Sequence, residues 1–462
     1  MALIKSISGI RGTIGGNVDE GLDPLAIVRF TAAYATFIRQ ATGAAAPRIV
    51  VGRDARLSGD MLRQFVTATL TAMGCHVTDI GHATTPTVEL AVIWEQAAGG
   101  LILTASHNPA HWNALKLLNG KGEFLNAEEG AEVLSIAEAN DFIFAPVDKL
   151  GHIACADYAQ RHIDAILRLP LVDTDAIRAA DFRIAVDMIN SVGTYIIPNL
   201  LQALGVRETI LINGTPDGHF AHNPEPLPEH LEEISRAVSE GNFDLGFVVD
   251  PDVDRLAIIC EDGNMFGEEY TLVAVADYVF GRILQGGAVS NLSSSRALKD
   301  VALSHGRTYH ASAVGEVNVV ACMKATGAVI GGEGNGGIIY PELHYGRDAL
   351  VGIALFLSHL ARKRMKPSEL RKLYPAYSIS KQKLELSPDI DIDALLTAFR
   401  TAYPHPVTDI DGIRVDFPDR WIHLRKSNTE PVIRIYAEAP DEIQADELTQ
   451  DAIRILRQNI FV

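Results

Sequence analysis

Along the 462-residue chain, short apolar runs recur between stretches whose apolar residues fall three and four apart. The runs read as buried strands and the stretches as helices. In the first passage the spacing predicts a helix over 22–41, a strand over 48–54, a helix over 61–73 stopped by Gly74, and a strand over 76–80. A second passage has a strand at 183–187, a helix at 195–204 ending on Gly205, and a strand at 209–212. In a third, strands at 307–311 and 328–330 flank a helix at 317–325. Proline-bearing turns at Thr85-Pro86 and Asn223-Pro224 stand before helices in the first two.

Each passage ends on an apolar strand that runs into a polar or glycine-rich loop. The endings are Leu101-Ile102-Leu103 into T-A-S-H-N-P, 245–249 into D-P-D-V-D-R, and 328–330 into G-G-E-G-N-G-G. The pattern predicts an α/β protein of three related α/β domains, each giving one loop to a shared cleft. Beyond the basic run 362–367, strands at 410–415, 421–425 and 432–437 and a helix at 441–458 predict a smaller α+β domain. The expected divisions are 1–150, 151–255, 256–370 and 371–462.

Composition narrows the possible roles. The length exceeds what one core supports, and 47% hydrophobic with 21% charged residues is ordinary for a globular enzyme. A formal charge of -18 argues against nucleic acid held on a basic surface, while leaving room for small anions in a local basic pocket. The N-terminus has no signal-like apolar core and no apolar run reaches membrane length, so no membrane role is expected. Cys75, Cys155, Cys260 and Cys322 form no C-x-x-C pair and read as buried thiols of a reducing, cytoplasmic protein.

The loops carry the chemistry. Ser106 stands just past a strand end, where open α/β sheets place ligands and where an activated serine acts as a nucleophile. Alternatively, Thr104, Ser106 and Asn108 only satisfy their own turn. Asp250, Asp252 and Asp254 alternate after a buried strand and repel one another unless a hard cation such as Mg²⁺ joins them. Arg425, Ser427, Asn428, Thr429 and Arg434 offer forked and single donors suited to gripping a phosphate. In the glycine run only Glu333 and Asn335 carry functional side chains, and both suit sugar hydroxyls. No P-loop lysine follows them. Arg11 between Gly9 and Gly12 reads as a guanidinium presented by a tight loop. With His107 and Lys116 it would supply the cations that phosphoryl transfer needs.

In this order, the motifs G-I-R-G-T, T-A-S-H-N-P, D-P-D-V-D-R, G-E-G-N-G-G and R-K-S-N-T-E-P resemble those of the α-D-phosphohexomutases over essentially the whole chain. The resemblance implies a heart-shaped protein around a central cleft, with mixed sheets in three α/β domains and a C-terminal domain similar to the TATA-binding-protein fold. It also implies phosphorylation of Ser106 and Mg²⁺ held by Asp250, Asp252, Asp254 and the Ser106 phosphate. Arg11, His107 and Lys116 would surround the reaction, with Lys116 or Arg11 managing the hydroxyl proton. Arg255, Glu333 and Asn335 would meet the sugar, and Arg425, Ser427, Asn428, Thr429 and Arg434 the non-reacting phosphate. Phospho-Ser106 would convert a hexose monophosphate into a hexose 1,6-bisphosphate, which turns over and returns its other phosphate.

Many members read G-E-x-S-G-H where this chain has Asn335 and Gly337. The variant loop, with N-P-A-H-W-N-A-L-K, looks most like the phosphoglucosamine mutase type. That favours glucosamine phosphate over mannose or glucose phosphate, handled by a monomer or homodimer. A phosphoserine-dependent sugar phosphatase would use the same serine and metal. A non-catalytic sugar-phosphate sensor would have lost the nucleophile or metal ligands, and both are present.

Overall fold

Four sheets carry the chain in the computed structural model, which describes residues 3–6, 9–387, 390–403, 405–426 and 432–460. The first has seven strands in the order Leu3–Ser6, Gly9–Thr13, Trp112–Asn119, Gly99–Leu103, Arg48–Arg53, His76–His82, Ile153–Cys155. In the second the order is Leu256–Cys260, Leu245–Val249, Arg183–Asp187, Glu208–Ile212, and in the third Gly337–Ile339, Ile330–Glu333, Ala288–Asn291, Tyr309–Ser312. All three share one arrangement. A pair of parallel strands is followed by a third parallel strand, which turns through a loop into an antiparallel partner. The three motif loops are these turns, so the repeat is topological and each loop leaves its sheet at the equivalent place.

The last sheet is wholly antiparallel, in the order Ser378–Glu385, Val432–Ala439, Trp421–Lys426, Ile413–Asp416, Val407–Thr408, with helices Ile392–Ala402 and Glu442–Ile460. Its core, including Phe399, Ile422, Leu424, Ile433 and Ile435, is separate from that of the first sheet, while the second and third sheets share one. Helix Ala349–Lys363 lies within that shared core and is buried along most of its length. Asp348 caps it by accepting from the backbone N–H groups of Leu350 and Val351.

Several expectations need correction. Arg11 lies on the strand Gly9–Thr13, not in a loop. Gly9 serves a close approach, because a Cβ there would meet the Leu115 carbonyl oxygen at 2.4 Å. The glycine run is a β-hairpin: glycines have low strand propensity, yet here they let two strands close. Residues 410–412 precede the strand Ile413–Asp416 instead of opening it, and the basic run ends a helix and begins another at Pro367. Cys155 is exposed on the edge strand and Cys322 is half-buried, leaving Cys75 and Cys260 as the buried thiols where four were expected. Because Ile153–Cys155 completes the first sheet and Leu256–Cys260 the second, we place the divisions beyond 155 and 260 instead of at 150 and 255. No helix among the described residues is long and apolar enough to cross a membrane.

Candidate active site

The turn after Gly99–Leu103 puts Ser106 in the left-handed region at φ 47, an uncommon state for a non-glycine residue. Its backbone N–H donates to Thr104 Oγ1 at 2.9 Å, and the Thr104 hydroxyl donates to Asp54 at 2.6 Å. This fold of the turn aims the Ser106 hydroxyl at the second sheet, where it donates to Asp250 Oδ2 at 2.6 Å. His107 Nδ1 lies 3.3 Å from the same hydroxyl oxygen. Two loops 144 residues apart in sequence thus meet at one atom pair.

Asp250, Asp252 and Asp254 are buried, and one carboxylate oxygen from each lies within 4.8 Å of the others. Asp250 Oδ1 accepts from the backbone N–H groups of Asp254 and Arg255. Asp252 Oδ2 accepts from Thr85 at 2.6 Å and from the Lys116 ammonium at 2.7 Å. Asp252 Oδ1 and Asp254 Oδ1 are buried without a partner. Unpartnered anionic oxygens in this setting are costly, and an oxygen-seeking divalent cation fits them. Burial, then Asp252 and Asp254, push the Asp250 carboxyl well above the usual carboxylate range. Burial also works against the Asp252 carboxylate, but Lys116 and its hydrogen bonds hold it below that range. Val253, a β-branched residue at φ 63, marks the strain of the loop that gathers the three.

Basic groups ring this point. Burial opposes the Lys116 ammonium, but Asp252 and Asp254 outweigh it and raise its affinity for the proton. Burial, followed by Arg255, Arg347 and Arg11, drives the His107 imidazole down to about 2 against the pull of Asp252. Arg11 is itself lowered by burial and by Arg255. Arg255 is buried and lies 3.6 Å from Glu225.

The glycine-rich hairpin is more constrained than its sequence suggests. Glu333 is buried, with Oε1 accepting from Asn291 at 2.9 Å and from the Gly315 N–H at 3.0 Å, and Oε2 from Arg347 at 3.1 Å. Asn335 stands half-buried in the turn and accepts from the Gly337 N–H. In the last domain Arg425 and Arg434 face each other across adjacent strands, with Lys383 opposite Arg434 on the far side. Like charges in such register repel, so the row is suited to an anion, and Arg425 is held at 3.3 Å by Asp411. Ser427, Asn428 and Thr429 lie outside the described residues.

Models of the phosphoglucomutase/phosphomannomutase family match in sequence order: α/β/α domain I at residues 3–144, domain II at 160–263, domain III at 267–377 and the C-terminal domain at 363–455. The chain belongs to this family. A phosphoglucomutase/phosphomannomutase of Thermococcus kodakarensis is 34% identical over 97% of this chain and 98% of its own. A probable phosphoglucosamine mutase of Methanopyrus kandleri is 33% identical over 98% and 97%. Among solved structures, a phosphoglucomutase/phosphomannomutase family protein of Burkholderia thailandensis superposes with a TM-score of 0.83 at 26% identity, covering 98% of each chain. This is therefore a phosphohexomutase, an isomerase by reaction class.

Within this phosphohexomutase two arginines that the motifs do not contain organise the site. The fully buried Arg56 donates to the backbone carbonyls of Ser106, Asn108, Pro109 and Trp112, and pairs with Asp54 at 3.1 Å. It clasps the whole serine turn. Arg347 joins Asp254, Glu316 and Glu333. Apart from Asp54 beside Arg56, their partners lie 14 or more residues away, so no spacing rule exposes them. The available signals were a second arginine just after Arg53-Asp54 at a strand end, and an arginine directly before the capping Asp348.

Proposed function

We propose that the protein interconverts 6-phosphohexoses and 1-phosphohexoses through a phosphorylated Ser106 and a hexose 1,6-bisphosphate. Its preferred pair is glucosamine 6-phosphate and glucosamine 1-phosphate, handled in the cytoplasm by a monomer or homodimer. The observation that carries the reading is the 2.6 Å contact between the Ser106 hydroxyl and Asp250, inside a ring of cationic side chains. Asp250, Asp252 and Asp254, with the Ser106 phosphate, would hold Mg²⁺, which when bound supplies positive charge to the oxygens of the transferring group.

In the forward half-reaction the sugar 1-hydroxyl attacks the phosphorus of phospho-Ser106. The phosphorus–Oγ bond breaks, and the proton lost by the sugar hydroxyl ends on Ser106 Oγ. His107, whose Nδ1 lies 3.3 Å from that oxygen, and the nearby Lys116 and Arg11 are the groups available to handle the proton. Lys116 and Arg11 also carry positive charge to the transferring phosphoryl group. Arg255, Glu333 and Asn335 orient the sugar. Arg425, Ser427, Asn428, Thr429 and Arg434 hold whichever phosphate is not reacting, so the bisphosphate can turn end for end.

The glucosamine assignment draws support from the hairpin, whose Glu333 and Asn335 offer acceptor oxygens to a C2 ammonium. Relatives named for glucose and mannose phosphates stand at almost the same identity, which favours those sugars as the second reading. An isomerase assay on glucosamine, glucose and mannose phosphates with a trace of bisphosphate separates the two. Glucosamine 6-phosphate should give the highest kcat/KM. Release of inorganic phosphate in place of isomerisation would make the protein a phosphatase and end this reading.

A further inference from the structure

One guanidinium ties the metal loop to the sugar hairpin. Arg347 donates from Nη2 to Asp254 Oδ2 at 2.7 Å, from Nη1 to Glu333 Oε2 at 3.1 Å, and from Nε to Glu316 Oε2 at 3.0 Å. Its backbone N–H adds a bond to Glu316 Oε1 at 2.9 Å, so the side chain is anchored at its root as well as its tip. The three carboxylates come from the turn after Val249, the end of the strand Ile330–Glu333 and the first turn of the helix Glu316–Thr326. A planar fork reaches three such partners at fixed angles, which a single ammonium cannot do.

The hairpin is built to admit this side chain. A Cβ on Gly337 would lie 2.4 Å from Arg347 Cδ and 3.1 Å from its Cγ. Gly337 is not among the residues of positive φ, so its backbone does not require glycine. The missing side chain is room for Arg347.

We propose that Arg347 is a positioning residue that fixes the sugar-binding carboxylate of Glu333 relative to the metal-binding Asp254, and that Gly337 is the space through which it reaches both. The proposal rests on the functional reading above for the roles of Glu333 and Asp254. Substrate fit and cation fit are then linked through one side chain that touches neither ligand. A charge-balancing arginine would change stability alone; a positioning arginine also changes KM and metal affinity.

Two variants of the full chain test this from opposite sides. Arg347→Lys keeps the buried positive charge but not the fork, and Gly337→Ala crowds an intact Arg347. Each should raise the KM for glucosamine 6-phosphate about tenfold, the factor expected for one charge-assisted bond, with kcat changed less. Each should also weaken Mg²⁺ binding measured by calorimetry. In a Glu333→Gln background, where the carboxylate to be positioned is gone, Arg347→Lys should add less than about twofold to KM. The proposal is overturned if both variants lower only Tm and leave KM and Mg²⁺ affinity intact. It is equally overturned if the Arg347 and Glu333 effects on KM simply multiply. Absence of mutase activity in the unaltered protein would remove the functional reading, yet the Mg²⁺ affinities would still decide whether Arg347 holds Asp254.

Discussion

The serine turn and the glycine-rich hairpin occupy equivalent places in two related sheets, and each is governed by an arginine outside its motif. They are governed in opposite ways. Arg56 spends its Nη donors on four backbone carbonyls and only Nε on a carboxylate, that of Asp54, so the Ser106 side chain is left to face Asp250 across the cleft. Arg347 spends its donors on carboxylates, so the functional side chain of the hairpin is itself part of the clasp. In the proposed mechanism the first device fixes where the reacting Ser106 oxygen sits without touching its chemistry. The second fixes position and charge together, which suits a group that orients a ligand and undergoes no bond change. Where a residue reacts, the support holds the chain; where it only binds, the support can hold the side chain.

That contrast is broken most severely at Arg56. Arg56→Met leaves Asp54 buried and unpaired and frees four carbonyls, and breaking a buried pair costs about 3–5 kcal/mol. Chemical denaturation should show that loss, and turnover should fall further than the fraction unfolded explains. A variant of unchanged stability with full activity would show that the serine turn holds itself.

A smaller effect is expected at the last domain, which reaches the hairpin through a chain of contacts. Glu333 accepts from the Gly315 N–H, Asp411 accepts from the Val314 N–H, and Asp411 holds Arg425. Arg425→Ala should weaken the 1-phosphate and the 6-phosphate alike, by about 1.5–3 kcal/mol in titrations. The unphosphorylated sugar should bind as before. A loss confined to one isomer would mean that the two phosphates do not share the clamp.

The smallest effect concerns how the first unit docks on the third. Glu89, buried on the helix Thr85–Trp94, lies 3.2 Å from His344, which also pairs with Asp348, itself bonded to His162. Burial pushes the Glu89 carboxyl up to about 8 against the pull of His344. The folded protein thus holds this proton more tightly than the unfolded chain does. Its stabilising contribution is complete below the ordinary carboxylate range and is lost as pH rises to about 8. Glu89→Gln removes that dependence, so the Tm of the variant should fall less between pH 5 and pH 8 than that of the unaltered protein. Parallel Tm curves would show that Glu89 does not titrate in this window.

The same contrast explains what the sequence disclosed. Ser106, the three aspartates and Glu333 were legible because each sits within a few residues of a strand end and of its own motif. The fold was legible for the same reason, since the three passages repeat one order of strands. Arg56 and Arg347 were not, because, apart from Asp54 beside Arg56, their partners are backbone carbonyls 50 or more residues away or carboxylates from other elements. Arg11 was misplaced because glycines on both sides imitate a loop, whereas Gly9 is small so that its strand can approach Leu115. The hairpin was hidden by composition, since its side chains are too few to show a period of two.

In the proposed mechanism Ser106 carries the phosphoryl group between the two ends of the sugar, which intact-mass analysis under single-turnover conditions can observe step by step. Protein treated with hexose 1,6-bisphosphate and desalted should carry one phosphoryl group, mapped to Ser106, and Ser106→Ala should carry none. Addition of glucosamine 6-phosphate should remove that mass and yield the bisphosphate at the same rate. Transfer to water instead, or isomerisation at full rate by Ser106→Ala, would rule out Ser106 as the carrier between the two ends of the sugar.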